Sequence, residues 1–215
     1  MDSQISEEPK HVDLEIDLHD ELIPYDQVLS FLQEIEQKSD INEYCNGSNR
    51  NGRWFFQFYS KEFIKTLASR IVDCLERVEN KNPILEIMAG NGKLTQFLQP
   101  FVERRVIATD AKTRRSDIAH PKWIEKLDAL EAAEKYEPAL ILVSWEPFYS
   151  DIGARIAEKG YPLIWIGDPN SCAVHSGILE EPHVKSNCEY ALGRHDSFLE
   201  ENFRTDIYIF NCMKE

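Results

Sequence analysis

Residues 83–94, Pro-Ile-Leu-Glu-Ile-Met-Ala-Gly-Asn-Gly-Lys-Leu, constrain the fold of this 215-residue chain more than any other stretch. A short apolar run with one acid inside it, Glu86, predicts a buried strand over Ile84 to Met88. Gly90 and Gly92 come at once after it, and Lys93 to Leu98 has the spacing of an amphipathic helix stopped near Pro100. Strand, glycine turn and helix, in that order, is how a parallel α/β sheet brings backbone N–H groups to a ligand.

Beyond the turn the chain alternates in the same way. Strands are expected at Arg105 to Thr109, Trp123 to Lys126, Ala139 to Ser144, Tyr161 to Ile166 and Thr205 to Cys212. Helices are expected at Ala129 to Lys135 and at Asp151 to Lys159, the second closed by Gly160. Residues 167–195 read as loop-rich. Buried strands alternating with helices imply a doubly wound α/β domain, a mostly parallel sheet with helices on both faces.

The preceding residues read as an extension. Pro24 opens a helix over Tyr25 to Lys38, whose Val28, Phe31, Leu32 and Ile35 recur at helical spacing. Trp54, Phe55, Phe56, Phe58 and Tyr59 form an aromatic cluster, either a clasp onto the core or the wall of a pocket. A longer helix begins after Ser60, a candidate N-cap, and its apolar spacing runs through Val78 to a stop at Asn80-Lys81-Asn82-Pro83. The division expected is an acidic arm and helical extension over 1–59 and the α/β domain over 60–215. Between residues 1 and 23 acids dominate, and Val12, Leu14, Ile16 and Leu18 alternate with polar residues. A free tail and a docking strand both fit that pattern.

The formal net charge is −14. It disfavours extended nucleic acid, whose phosphates would be repelled. Five scattered cysteines argue against a disulfide framework. The first ten residues are polar and acidic, unlike a secretory signal, and no apolar run is long enough to span a bilayer. A cytoplasmic protein without membrane contact is therefore expected. Cys172-x-x-His175 with His183 and Cys188 fits no standard zinc spacing, so no metal is expected.

In a sheet of this kind ligands sit outside the carboxyl ends of the strands. The polar residues expected there are Glu86 with the turn from Ala89 to Gly92, Asp110, Asp128, Ser144 with Trp145-Glu146, and Gly167-Asp168. A carboxylate at the end of the second strand suits a ribose diol, and an acid followed by a small residue after the third suits an adenine amine. Together these features resemble the class I S-adenosylmethionine-dependent methyltransferases over roughly residues 60–212. The family's acid-x-Gly-x-Gly-x-Gly motif is here Glu86-Ile87-Met88-Ala89-Gly90-Asn91-Gly92, with Met88 in place of the first glycine. The resemblance implies a seven-stranded sheet with an antiparallel C-terminal strand. It implies a site for S-adenosylmethionine, or its product S-adenosylhomocysteine, formed by Glu86, Met88, Ala89, Gly90, Asn91, Gly92, Asp110, Asp128, Ala129, Ser144 and Trp145. The methyl acceptor, a small molecule or a protein side chain, would meet Ser144-Trp145-Glu146-Pro147-Phe148-Tyr149, with Glu146 and Tyr149 as catalytic candidates.

Two alternatives stay open. A methyltransferase-like protein without turnover, binding a partner through the acidic arm or sensing the cofactor, fits the departure at Met88. An NAD-dependent oxidoreductase fits the glycine turn and Asp110 equally well, because a dinucleotide also presents a ribose diol.

Overall fold

The strands at the centre of the sheet are aliphatic throughout, and that composition is what a sheet covered on both faces requires. The computed structural model describes residues 16–49, 51–113 and 121–212. In the large sheet, β2 (Ile84–Ile87), β3 (Val106–Asp110), β4 (Glu125–Lys126), β5 (Leu140–Ser144) and β6 (Leu163–Gly167) are joined by β7 (His183–Lys185) and β9 (Asp206–Phe210). The spatial order is β4-β3-β2-β5-β6-β9-β7. Neighbours from β4 to β6 pair in parallel, whereas β9 is antiparallel to both β6 and β7. The chain is thus an α/β protein with a seven-stranded, mostly parallel sheet, as its alternation predicts.

Alternate residues on each strand face opposite layers. Ile84, Leu140, Leu142, Ile164, Ile166 and Ile207 pack against α3 (Lys61–Leu75) and α4 (Lys93–Leu98). Leu85, Ile87, Ile141, Val143 and Trp165 pack the other way, against α5 (Ala129–Tyr136) and α6 (Ile152–Glu158). Alanines at 129, 132, 133, 154 and 157 let these two helices lie close to the sheet.

The preceding segment builds its own apolar cluster. In α1 (Tyr25–Lys38), Val28, Phe31, Leu32 and Ile35 meet Ile41 and Cys45 of α2 (Ile41–Cys45), together with Phe55, Phe58, Leu192 and Phe198. A two-residue ribbon fixes this layer, with β1 (Gln57–Phe58) antiparallel to β8 (Leu192–Gly193). The aromatic cluster therefore splits by residue. Phe55 and Phe58 form the clasp, while Trp54 and Phe56 remain exposed.

Several boundaries differ from expectation. The Ser60 hydroxyl does accept the Phe63 N–H, at 3.1 Å. However, α3 stops at Leu75, because Arg77 N and Val78 N bond back three residues, to Cys74 O and Leu75 O, which tightens the last turn. The stretch expected to be loop-rich also contains the short strands β7 and β8. Of the alternating N-terminal residues, Val12 and Leu14 lie outside the described residues; Ile16 is in no strand, and 18–20 form a turn. Among the described residues no helix is long and apolar enough to cross a membrane.

Candidate functional site

A cleft of about 640 Å³ opens beyond the carboxyl ends of β2, β3 and β5. Its floor is the turn after β2. Met88, Gly90 and Gly92 all take left-handed backbone, with φ of 54°, 55° and 72°. Gly92 is closed in, since a Cβ there would overlap Trp123 and Ile124. Met88 adopts the conformation a glycine would take freely, at a cost of roughly 1–2 kcal/mol.

The backbone N–H groups of this turn are largely satisfied from within, contrary to the expectation that they face a ligand. Gly90 N donates to Asp110 Oδ2 at 2.9 Å, Lys93 N to Asn91 Oδ1 at 3.1 Å and Thr95 N to Glu86 Oε2 at 3.0 Å. Ala89 N and Gly92 N bond to backbone carbonyls of Thr109 and Ala89. The reason is the acids themselves. Carboxylates at 86 and 110 reach the turn and take the donors that a phosphate would otherwise need.

Both acids line the cleft. Glu86 is buried, and its Oε2 accepts both the N–H and the hydroxyl of Thr95. Its Oε1 has no hydrogen bond among the described residues. Burial, with Asp110 nearby, pushes its pKa up to about 7 against the pull of the Thr95 bonds. Asp110 Oδ1 accepts Lys112 N at 2.6 Å. Asp128 caps α5, its Oδ1 accepting Leu130 N at 2.9 Å, and Ala129 continues from it into the cleft wall. Ser144 Oγ lies buried against the Tyr59 hydroxyl without a hydrogen bond of normal geometry.

The opposite wall comes from the β1–β8 ribbon. Trp145, left-handed at φ 57°, donates its Nε1 to Gln57 Oε1 at 2.8 Å, and its ring meets His195 edge-on at 5.5 Å and Phe56 at 6.3 Å. Gly193 leaves room for that indole, which any Cβ would strike. Burial, and then the charge of Arg194, depress the His195 imidazole below its usual range, so it is neutral at pH 7. At the mouth, His19 Nε2 lies 2.8 Å from Asn91 Nδ2, and Asp20 pairs with Lys93 at 2.9 Å. The Lys93 bond, with help from His19, holds Asp20 at about 2.

The two catalytic candidates differ in placement: Glu146 lines the cleft and Tyr149 does not. Glu146 is 1% exposed, and its oxygens accept Ser150 Oγ at 2.6 Å, Gly153 N at 2.9 Å and Trp165 Nε1 at 2.9 Å. Three donors make it a brace for the β5–α6 connection. Tyr149 is 85% exposed, lies outside the cleft wall and packs on Phe148 and His175. Gly92 also lies outside the wall, whereas Glu86, Met88, Ala89, Gly90, Asn91, Asp110, Asp128, Ala129, Ser144, Trp145 and Glu146 all line it.

Sequence reasoning missed Gln57, Arg53, Arg194 and His195, which line the same cleft from loops and a two-residue ribbon. No periodic pattern marks such residues. Among the described residues no group of three or more potential ligands could hold a metal ion. All five cysteines are free and buried. Comparison with protein-family models and with curated proteins finds no match for the chain.

Proposed function

We propose that this protein is an S-adenosylmethionine-dependent methyltransferase with a Rossmann-like, doubly wound domain. The observation that carries the reading is the convergence of Glu86, Asp110 and Asp128 on one cleft beside a left-handed turn. The ligand such a wall fits is cationic at one end and carries a ribose and an adenine. The sheet order supports the reading too, since the resemblance implies an antiparallel last strand and β9 is antiparallel to both of its neighbours.

The residues present suit this cofactor better than a dinucleotide. A pyrophosphate needs free N–H groups and tolerates carboxylates poorly. Here the turn's donors are taken by Asp110, Asn91 and Glu86. The spare Glu86 oxygen suits an ammonium group, Asp110 a ribose diol, and Asp128 with Ala129 an adenine amine. Ser144 lines the wall, its Oγ beside the Tyr59 hydroxyl but without a hydrogen bond of normal geometry, so a bound polar group would complete its bonding.

The cofactor supplies an electrophilic methyl group on a sulfonium. The chain's work is then positioning and exclusion of water. Trp145, held by Gln57, presents a flat face to an acceptor lying between the strand ends and the ribbon. Neutral His195 beside it can take a proton from an acceptor that must lose one. The acceptor is a small molecule or a protein side chain. A cofactor-binding protein without turnover is the second reading, favoured by the bracing of Glu146 and the outward placement of Tyr149.

Isothermal titration with S-adenosylmethionine, S-adenosylhomocysteine and NAD tests the assignment. Saturable binding of the first two and none of NAD is expected. Failure of both adenosyl ligands to bind rejects it. Methylated product from any acceptor then separates the enzyme from the silent binder.

A further inference from the structure

We propose that the ribbon side of the cleft is a subsite for an oxyanion on the methyl acceptor, a carboxylate or a phosphate, gripped by Arg194 above the Phe56 ring. Calling the ligand an acceptor rests on the methyltransferase reading; the anion subsite itself does not.

Arg194 is 8% exposed, yet no carboxylate among the described residues pairs with it. Of its five N–H donors only Nη2 is engaged among those residues, on the neutral Asn46 Oδ1. Its Nε is buried without a partner. The Phe56 ring lies 5.0 Å from the guanidinium carbon. Desolvating an unpaired cation is costly, and a ring contact returns only part of that cost. The chain carries 38 acids against 24 lysines and arginines, so an unpaired buried arginine is not for want of carboxylates. Lys93 has Asp20, Arg204 has Asp168 and Lys185 has Asp206.

The position is prepared rather than incidental. Arg194 N donates to Phe56 O at 3.0 Å, and Gly193 pairs with Gln57 across the ribbon. Backbone and aromatic platform are therefore fixed before any ligand arrives, which lowers the ordering cost of binding. Arg53 lines the same cleft; its Nη2 pairs loosely with Asp20 at 3.9 Å and its buried Nε has no hydrogen bond. The cleft is polarised as a result. Its carboxylates come from the strand ends and its guanidinium groups from the ribbon side, so a cationic cofactor and an anionic acceptor would each meet the opposite charge. Trp145 and Phe56 favour an acceptor whose anion is attached to a flat body.

The test titrates the full chain with benzoate, phenyl phosphate and neutral benzyl alcohol, monitored by calorimetry or ligand-observed NMR. At least one anion should bind saturably and benzyl alcohol should not; the tighter of the two names the oxyanion. Arg194→Gln should weaken anion binding by about tenfold or more, and Arg194→Lys by less, with S-adenosylmethionine binding unchanged. The proposal is overturned if benzyl alcohol binds as well as the anions, if neither anion binds, or if Arg194→Gln binds them like wild type. Should that variant not fold, the charged-against-neutral comparison on wild type decides alone. Anion binding without any S-adenosylmethionine binding would remove the methyltransferase reading and leave the subsite standing.

Discussion

Asp110 Oδ2 accepts the backbone N–H of Gly90 at 2.9 Å, so the acid ending one strand holds the turn that ends its neighbour. A residue expected to serve a ribose is also a structural anchor. Asp110→Ala should leave the Gly90 N–H unpaired, cost about 1–3 kcal/mol of stability and weaken S-adenosylmethionine binding. Asp110→Asn keeps an acceptor oxygen for Gly90 but turns its amide toward the Lys112 N–H, and it offers the ribose less. It should be more stable than Asp110→Ala but less stable than wild type, and still bind the cofactor more weakly. Thermal melts with calorimetry separate the two effects, and cofactor binding at wild-type strength in the Asn variant would free Asp110 of its ligand role.

Glu86 ties stability and ligand affinity to pH in opposite senses. Its folded-state pKa lies near 7, above the 4.5 of an ordinary glutamate, chiefly through burial. Between those values the folded chain holds a proton that the unfolded chain has released. The folded state should therefore lose up to about 3 kcal/mol as pH rises through that window, and Glu86→Gln should flatten the loss in denaturant titrations. A bound ammonium group favours the carboxylate. Cofactor affinity should then rise from about pH 6 to about pH 8 in wild type and stay level in Glu86→Gln.

Met88 inverts the usual ranking of alanine and glycine. At φ 54° any residue with a Cβ is strained, whereas glycine is not. Met88→Ala forfeits the packing of a partly buried side chain and keeps the strain. Met88→Gly forfeits the same packing and releases it. The glycine variant should be the more stable by about 1 kcal/mol in urea melts, and the reverse order would mean that the turn relaxes away from its left-handed form.

Replacing Glu146 should damage the fold more than the cofactor site. In Glu146→Gln an amide N–H₂ would face a donor from Trp165, Ser150 or Gly153. A loss of about 1–3 kcal/mol is expected, with cofactor binding within a few-fold of wild type at low temperature. Gly153→Ala should act through the same contact, because its methyl would overlap Glu146 Oε2 and Ile178. Complete loss of turnover in Glu146→Gln samples that remain folded and still bind cofactor would restore a chemical role.

How much of the structure the residues disclose depends on how local each signal is. Helix α1 has the expected ends, Tyr25 and Lys38, because Pro24 and a four-residue apolar stripe define it within its own length. The core strands are legible for the same reason. Strand β7 is not, since His183, Val184 and Lys185 are all exposed and show no period. The β1–β8 ribbon joins residues as far apart as Phe58 and Leu192, two residues a side, so no window of sequence contains it. The site divides along that line. The strand-end acids are visible in the sequence, while Gln57, Arg194 and His195 depend on contacts made only after folding. Glu146 reads as chemistry because its three donors lie on separate elements, and Tyr149 because adjacency to Trp145 says nothing about which way a turn points.

The insertion of β9 between β6 and β7 has a consequence for the order in which the molecule can be made. Among the described residues, strand β7 has no neighbour in the sheet except β9, which is synthesised after it. During translation β7 must therefore wait unpaired until residues 206–210 leave the ribosome, and the edge of β6 waits with it. A chain halted after Thr205 should keep both segments open to protease while the β2–β5 half is already protected. Emergence of β9, rather than of the glycine turn, would then set when the nascent protein closes its last seam.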